Sequence, residues 1–214
     1  MDYLSTLMQE RGNIAKKIDK YLEIDDFQFD INYLMAIHKY LFKGVIPFAG
    51  NFRECNLTRK EKVLNNESLI YADYKRIYLC LEYDFDNEKK KNYKEISKEE
   101  LVMNIADFTL RIWQAHPFRD GNTRTVSVFI QKYLKNMGYV IDNSIFKENG
   151  VYFRNALVLA GYYNYELGVH RNMEYIIKFY RKLLIDKTIE LDSEEVFVKE
   201  LFYRNSNHKK VLTK

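Results

Sequence analysis

Apolar side chains recur at Ile31, Leu34, Ile37, His38 and Leu41, three or four positions apart. That spacing lines one face of a helix, with Asp30 as its N-cap and Gly44 as its stop. The stretch GVIPFAGNF (44–52) carries two glycines and a proline and reads as a loop. Over 53–72 the apolar residues scatter at short spacing, and Asn65-Asn66 is a turn centre, which predicts a small hairpin. Tyr71 to Tyr83 is helical in pattern, and the charged run DFDNEKKKNYKE (84–95) predicts a surface loop. Ser97 and Glu100 form a capping box before Leu101, Ile105, Phe108 and Ile112, a core helix that must end at Pro117. After a loop over 117–121, a second stripe carries Val126, Ile130, Tyr133, Leu134 and Met137, stopped by Gly138. Further helices are predicted over 146–160 and 172–185, with one more in the tail from Ser193. The pattern is that of an all-α helical bundle with one small β-hairpin.

Composition narrows this further. The chain has 214 residues, enough for one domain with a buried core or a domain with a tail. The expected organisation is an N-terminal helical extension over 1–29, a central domain over 30–190 and a C-terminal helix or tail over 191–214. Only 8 Gly and 2 Pro are present, which favours helices over many short strands. The net charge is +4, with Lys, Arg, Asp and Glu interspersed, which describes a solvated surface and argues against a nucleic-acid partner. Cys55 and Cys80 have no metal-ligand or redox spacing, so both read as reduced, structural thiols of a cytosolic protein. No long apolar run stands where a signal peptide or a membrane span would need one. The expected location is the cytoplasm, with no membrane partner; secretion by a dedicated apparatus would leave no such mark.

Candidate chemistry concentrates in His116-Pro117-Phe118-Arg119-Asp120-Gly121-Asn122-Thr123-Arg124. This is a connection between the end of one core helix and the start of the next. The unpaired N–H groups and positive end of a helix N-terminus suit an anion. Gly121 would let the backbone approach a phosphate, Asn122 adds an amide donor, and Arg124 in the first turn adds a charge. Asp120 is a hard oxygen ligand of the kind Mg²⁺ takes beside phosphates. His116 titrates near neutral pH and can take a proton from a hydroxyl. Singly, a histidine at a helix end, an Asp-Gly-Asn turn and an arginine after it each have an ordinary structural explanation. Their combination within nine residues points to phosphate-transfer chemistry.

The combination resembles the Fic family, whose motif is H-P-F-x-[D/E]-G-N-G-R-x-x-R. His116, Pro117, Phe118, Asp120, Gly121, Asn122 and Arg124 match it. Upstream, AIHKYLFKGVIPFAGNFRECNL (36–57) is similar to the family segment in which an I-H-x-x-L-F helix precedes a P-F-A-G loop and an arginine. Downstream, Tyr152, Asn155 and Ala156 match a helix that in the family lines the nucleotide base. The resemblance spans roughly 30–165. It implies a Fic-type helical bundle with a β-hairpin flap, and ATP and Mg²⁺ as substrate and cofactor. It also implies that His116 deprotonates a Ser, Thr or Tyr hydroxyl of a target protein, which then attacks the α-phosphate. Asp120 would hold the metal, and Gly121, Asn122, Thr123 and Arg124 would meet the phosphates. The flap, about Thr58 to Ser68, would pin the target by strand addition. Its Arg59, Lys60 and Lys62 are candidate target contacts, although such a charge run ordinarily marks a solvated face.

Two positions depart from the motif. Thr123 replaces the second glycine and brings a β-branched side chain toward the phosphates. Ser127 stands where the family has its second arginine, which engages the terminal phosphate and pairs with an inhibitory glutamate in self-regulated members. The inhibitory spacing [S/T]-x-x-x-E-[G/N] is met in part by Thr6 and Glu10, but Arg11 follows, and an ordinary first helix explains the segment as well. Loss of both partners points to control by a separate protein of the antitoxin type, by assembly into a homo-oligomer, or to none. The resemblance therefore implies a protein adenylyltransferase, with Tyr203 in the tail a candidate site of self-modification. Two alternatives stay open. One is a Fic enzyme moving a different nucleotide or phosphate group, though kinase-like relatives carry Lys where this chain has Asp120. The other is a non-enzymatic binder, against which the retained His116, Asp120 and Asn122 speak.

Overall fold

Asp30 starts its helix through a side-chain cap. In the computed structural model, which describes residues 3–202 and side chains from residue 12 onward, Asp30 Oδ1 accepts the Tyr33 N–H at 2.7 Å. Helix α2 then runs Ile31–Phe42, after α1 (Tyr3–Glu23). The described chain forms two compact units. The first takes the chain up to Asn56, Ala72–Lys91 and Arg111–Asn143; the second takes Leu57–Tyr71, Asn92–Leu110 and the chain from Ser144 onward.

In the first unit α1 packs against α2 and against α5 (Asn122–Asn136). Ile14, Tyr21 and Leu22 are buried, and Lys17 Nζ donates to the Leu41 and Lys43 carbonyls at 3.2 and 3.0 Å. The lysine of the first helix thus caps the end of α2. Helix α3 covers Ile77–Lys89, starting later than its apolar pattern implied and running into the stretch expected to be a loop. The reason is packing. Phe85 lies 5.1 Å from Phe29 and 5.3 Å from Phe129, centroid to centroid, and buried Glu88 accepts from Tyr133 Oη at 3.3 Å and pairs with Lys91 at 3.0 Å. Burying those two side chains stabilises two further turns that their charged neighbours concealed.

The capping box opens α4 (Lys98–Ala115) as expected, with Ser97 N–H donating to Glu100 Oε2 at 2.9 Å. In the second unit the stretch 146–160 is two helices, α6 (Asn143–Glu148) and α7 (Gly150–Gly161). Asn149 breaks the run by donating from Nδ2 to the Ile145 carbonyl at 2.9 Å, a side-chain bond that competes with continuing the helix. α7 packs on α8 (Glu174–Leu184) around Phe146, Phe153 and Phe179. Buried Tyr180 shares a 2.7 Å hydrogen bond with Thr109. The hairpin pairs β1 (Thr58–Lys60) with β2 (Ser68–Ile70), Arg59 opposite Leu69. Asn65 and Asn66 turn it at φ 52° and 66°, left-handed values that asparagine tolerates. The tail from Ser193 supplies a short 3-10 turn, Ser193–Glu195. No helix among the described residues is long and apolar enough to cross a membrane.

Candidate active site

α4 stops at Ala115 because Pro117 follows two residues on, and the residue before a proline is disfavoured in a helix. His116 takes the left-handed conformation, φ 47°, with its N–H bonded to the Trp113 carbonyl at 3.0 Å. Its imidazole is 5% exposed and stands edge-on to the Trp113 indole, 5.7 Å between centroids. Pro117 and Phe118 are buried, whereas Arg119 and Asp120 are exposed. Gly121, at φ 77°, turns the chain into α5, whose first N–H groups have no carbonyl within the helix to meet. The connection therefore brings a histidine, an exposed carboxylate and a helix N-terminus together.

Several motif residues have partners within the connection itself. A Cβ on Gly121 would lie 2.4 Å from the Phe42 ring, so glycine is required here by that ring and by its positive φ. The Asn122 side chain is spent on the loop: Oδ1 accepts the Phe118 N–H at 2.9 Å and Nδ2 donates to the Phe118 carbonyl at 2.7 Å. It clamps residues 118–122 into shape. Thr123 Oγ1 accepts the Trp113 Nε1–H at 2.9 Å, tying the start of α5 to the end of α4. The substituted glycine position has thus become a brace. The Arg124 guanidinium lies 4.7 Å from the Phe42 ring centroid, a cation–π geometry. Ser127 Oγ donates to the Arg124 carbonyl at 2.8 Å.

Two residues that hold this connection were not recognised from sequence as doing so. His38 is fully buried and stacked on Phe118, 3.8 Å between centroids at 5°. Its Nδ1 accepts the Gly50 N–H at 2.8 Å, which leaves Nε2 to donate to the Asp120 carbonyl at 3.0 Å. Burial pushes its pKa down to about 4, against the upward pull of Asp120. Arg53 is 2% exposed and reaches the backbone on either side of His116. Its place in a polar loop gave no sign of burial, whereas the position of His38 on the apolar stripe of α2 did.

In the second unit, Arg59 is half-buried and Lys60 and Lys62 are exposed along the hairpin. Arg154 Nη2 grips both oxygens of buried Glu61 at 2.8 and 2.7 Å, and Asn65 Nδ2 donates to the Leu201 carbonyl at 2.9 Å. The hairpin is anchored at its turn as well as its base. Tyr152 is 1% exposed, edge-on to Tyr175, and its hydroxyl has no hydrogen-bond partner among the described residues. Half-buried Asn155 is therefore the member of that pair with surface to offer. The side chain of Glu10, and all of Tyr203, lie outside the described residues.

Asp120 is the exposed carboxylate of the connection. Gly121 N–H holds Asp120 Oδ1 at 2.7 Å, and among the described residues no group of three His, Cys, Asp or Glu forms a protein cage. Mg²⁺ is ordinarily bound by one or two carboxylates plus substrate oxygens.

Known proteins resemble this chain in sequence and in fold. It is 26% identical over 121 residues to "Probable protein adenylyltransferase y4lH" of Sinorhizobium fredii, covering 56% of this chain and 60% of that protein. It is 25% identical over 115 residues to the protein adenylyltransferase VbhT of Bartonella schoenbuchensis, covering 54% of this chain and 23% of VbhT. The chain thus spans only part of these relatives. Among solved structures, the VirB-translocated effector BepC of Bartonella tribocorum, with bound AMPPNP, shares its fold at a TM-score of 0.67 and 21% identity, covering 85% of this chain and 87% of that one. The N-terminal FIC domain of Bep8 from Bartonella sp. 1-1C does so at 0.69 and 21%, covering 88% and 89%. The Fic/DOC family model matches residues 28–134, from the cap of α2 through the motif and most of α5, and the chain belongs to that family.

Proposed function

We propose that this chain is a protein adenylyltransferase, moving the AMP part of ATP onto a Ser, Thr or Tyr hydroxyl of a target protein. The observation that carries this reading is the make-up of one connection: the His116 imidazole, the exposed Asp120 carboxylate, and the N-terminus of α5 opened by left-handed Gly121. The target hydroxyl gives its proton to His116 as its oxygen attacks the α-phosphorus. The new P–O bond forms as the α–β bridging P–O bond breaks, and pyrophosphate leaves with that electron pair. The N–H groups at the start of α5 and the Arg124 guanidinium meet the phosphate charge. Mg²⁺, held by Asp120, would neutralise charge on the pyrophosphate. By the family resemblance, Tyr152 and Asn155 of α7 are assigned to the base. The hairpin, with Arg59, Lys60 and Lys62, is assigned to the target. The relatives named adenylyltransferases support the reaction class.

ATP labelled separately at the α- and γ-phosphates, incubated with the protein and a lysate, tests this. Label from the α-position alone, on a lysate protein or on the chain itself, is the expected result. His116→Asn, which tolerates the left-handed backbone, should lower the rate about a hundredfold or more. Transfer from the γ-position would replace the reading with phosphoryl transfer, and no transfer from either would favour a binding protein. Intact mass after incubation would show one added AMP if Tyr203 or another residue of the chain is a self-acceptor.

A further inference from the structure

Arg53 lies outside the motif, yet it engages three consecutive residues at the motif's entrance. Its Nε donates to the His116 carbonyl at 2.7 Å and Nη2 to the Ala115 carbonyl at 3.4 Å, while its backbone N–H donates to the Pro117 carbonyl at 2.8 Å. The remaining reach of the fork goes to Cys55 O, 2.7 Å from Nη1, and to Ala72 O. A helix C-terminus leaves carbonyls without intrahelical donors and favours a cation beside them. Burying a guanidinium is nonetheless costly, and the cost is met here by its planar fork serving several acceptors at once.

What the fork holds is a strained residue. His116 carries a side chain at φ 47° immediately before a proline. Such a conformation is costly and persists only where its surroundings over-determine it. Rotation of that backbone into an ordinary region would swing the Cα–Cβ bond and re-aim the imidazole. The His116 carbonyl, which would move with it, accepts from Arg53 Nε.

We propose that Arg53 is a positioning residue for the transfer reaction: by gripping the carbonyls of Ala115 and His116 and the Pro117 backbone, it keeps His116 left-handed and so sets the direction of the catalytic imidazole. This rests on His116 acting as the base, and the test separates the two ideas. Arg53→Lys keeps a cation and loses the fork. With folding checked by circular dichroism, kcat should fall about a hundredfold, as small misplacements of a reacting group do, while KM for ATP stays within about threefold. Carbethoxylation of His116 by diethyl pyrocarbonate, located by mass spectrometry, should quicken about fivefold or more as the ring is released from burial, with His170 unchanged. Independently of activity, a strained His116 released from the fork recovers its strain by relaxing, relief that a glycine there cannot offer, so the fall in melting midpoint caused by Arg53→Lys should be larger in a His116→Gly background than with His116 in place. A folded Arg53→Lys with wild-type kcat and His116 reactivity would overturn the proposal. So would an equal fall in midpoint, or an equal loss of fold, in both backgrounds. If the wild type transfers no AMP, the base assignment fails, and the His116 reactivity and the midpoints still decide whether Arg53 sets the conformation of His116.

Discussion

Ser127 is where this chain departs most from the motif it otherwise follows. It lies one turn beyond Arg124 on the same face of α5, since residues three apart on a helix are neighbours. Its hydroxyl is satisfied by the Arg124 carbonyl at 2.8 Å and carries no charge toward a phosphate. Arg124 itself lies over the Phe42 ring, a contact that orients its guanidinium. Replacing Ser127 with arginine should therefore add a charge-assisted contact without breaking the helix, because the lost bond is local. Such contacts contribute about 1.5–3 kcal/mol, so ATP affinity or turnover should rise about tenfold or more. Michaelis constants for wild type and Ser127→Arg measure this. Unchanged constants beside tight wild-type binding would mean that another part of the chain already anchors the terminal phosphate.

At the level of elements, the hairpin of the second unit is less independent than a flap joined only at its base. Its turn is tied to the C-terminal segment through Val198 N–H on Val63 O, 3.0 Å, and to α7 through Arg154 on Glu61. Glu61 is buried and its partner is partly exposed, so the pair is lopsided: loss of the arginine strands a buried carboxylate, whereas loss of the glutamate leaves a cation that can reach water. Arg154→Met should accordingly destabilise the fold by about 1–3 kcal/mol, and Arg154→Met with Glu61→Gln by less than that single change. Urea unfolding of the two variants gives the comparison. A double variant that is the less stable of the two would show that Glu61 holds the turn without Arg154.

For the molecule as a whole, His38 links acidity to stability. In the folded state its Nδ1 must stay unprotonated to accept from Gly50 N–H, and burial holds its pKa near 4, below the ordinary 6.5. Asp120 opposes that shift and Arg124 adds to it. Between those two values an unfolded chain binds a proton that the folded chain refuses. Stability from this group is therefore complete above about pH 6.5, declines as the pH falls toward 4, and changes no further below that. The loss across the window is about 3 kcal/mol. Trp113, the single tryptophan, belongs to the same unit and reports its unfolding by fluorescence. Urea midpoints in metal-free buffer at pH 7 and 4.5 should differ by more in wild type than in His38→Gln; equal differences would exclude His38 as the cause.

Much of this architecture was written locally. The Asp30 cap, the Ser97–Glu100 capping box, the stop before Pro117 and the Asn65-Asn66 turn each depend on side chains within a few residues of the backbone they serve. They were legible for that reason. The candidate site was legible for a similar reason: its histidine, acid and glycine fall in one connection, so their order along the chain carries the chemistry. Where long-range packing prevailed, the local pattern misled. Phe85 and Glu88 draw α3 through a stretch whose charges spell a loop, and Asn149 divides what apolar spacing presents as one helix. Contacts made by residues inside the site also come from packing. Gly121 is required by the Phe42 ring, Asn122 is engaged by Phe118, Thr123 braces Trp113, and Arg53 reaches the His116 carbonyl from 63 positions away. By itself the sequence determined which chemical groups stand at the connection, because those are residue identities in order. Only the tertiary structure decided which of them face outward and which are used up in holding the rest, because burial and hydrogen-bond partners come from chain segments that order along the sequence does not bring together.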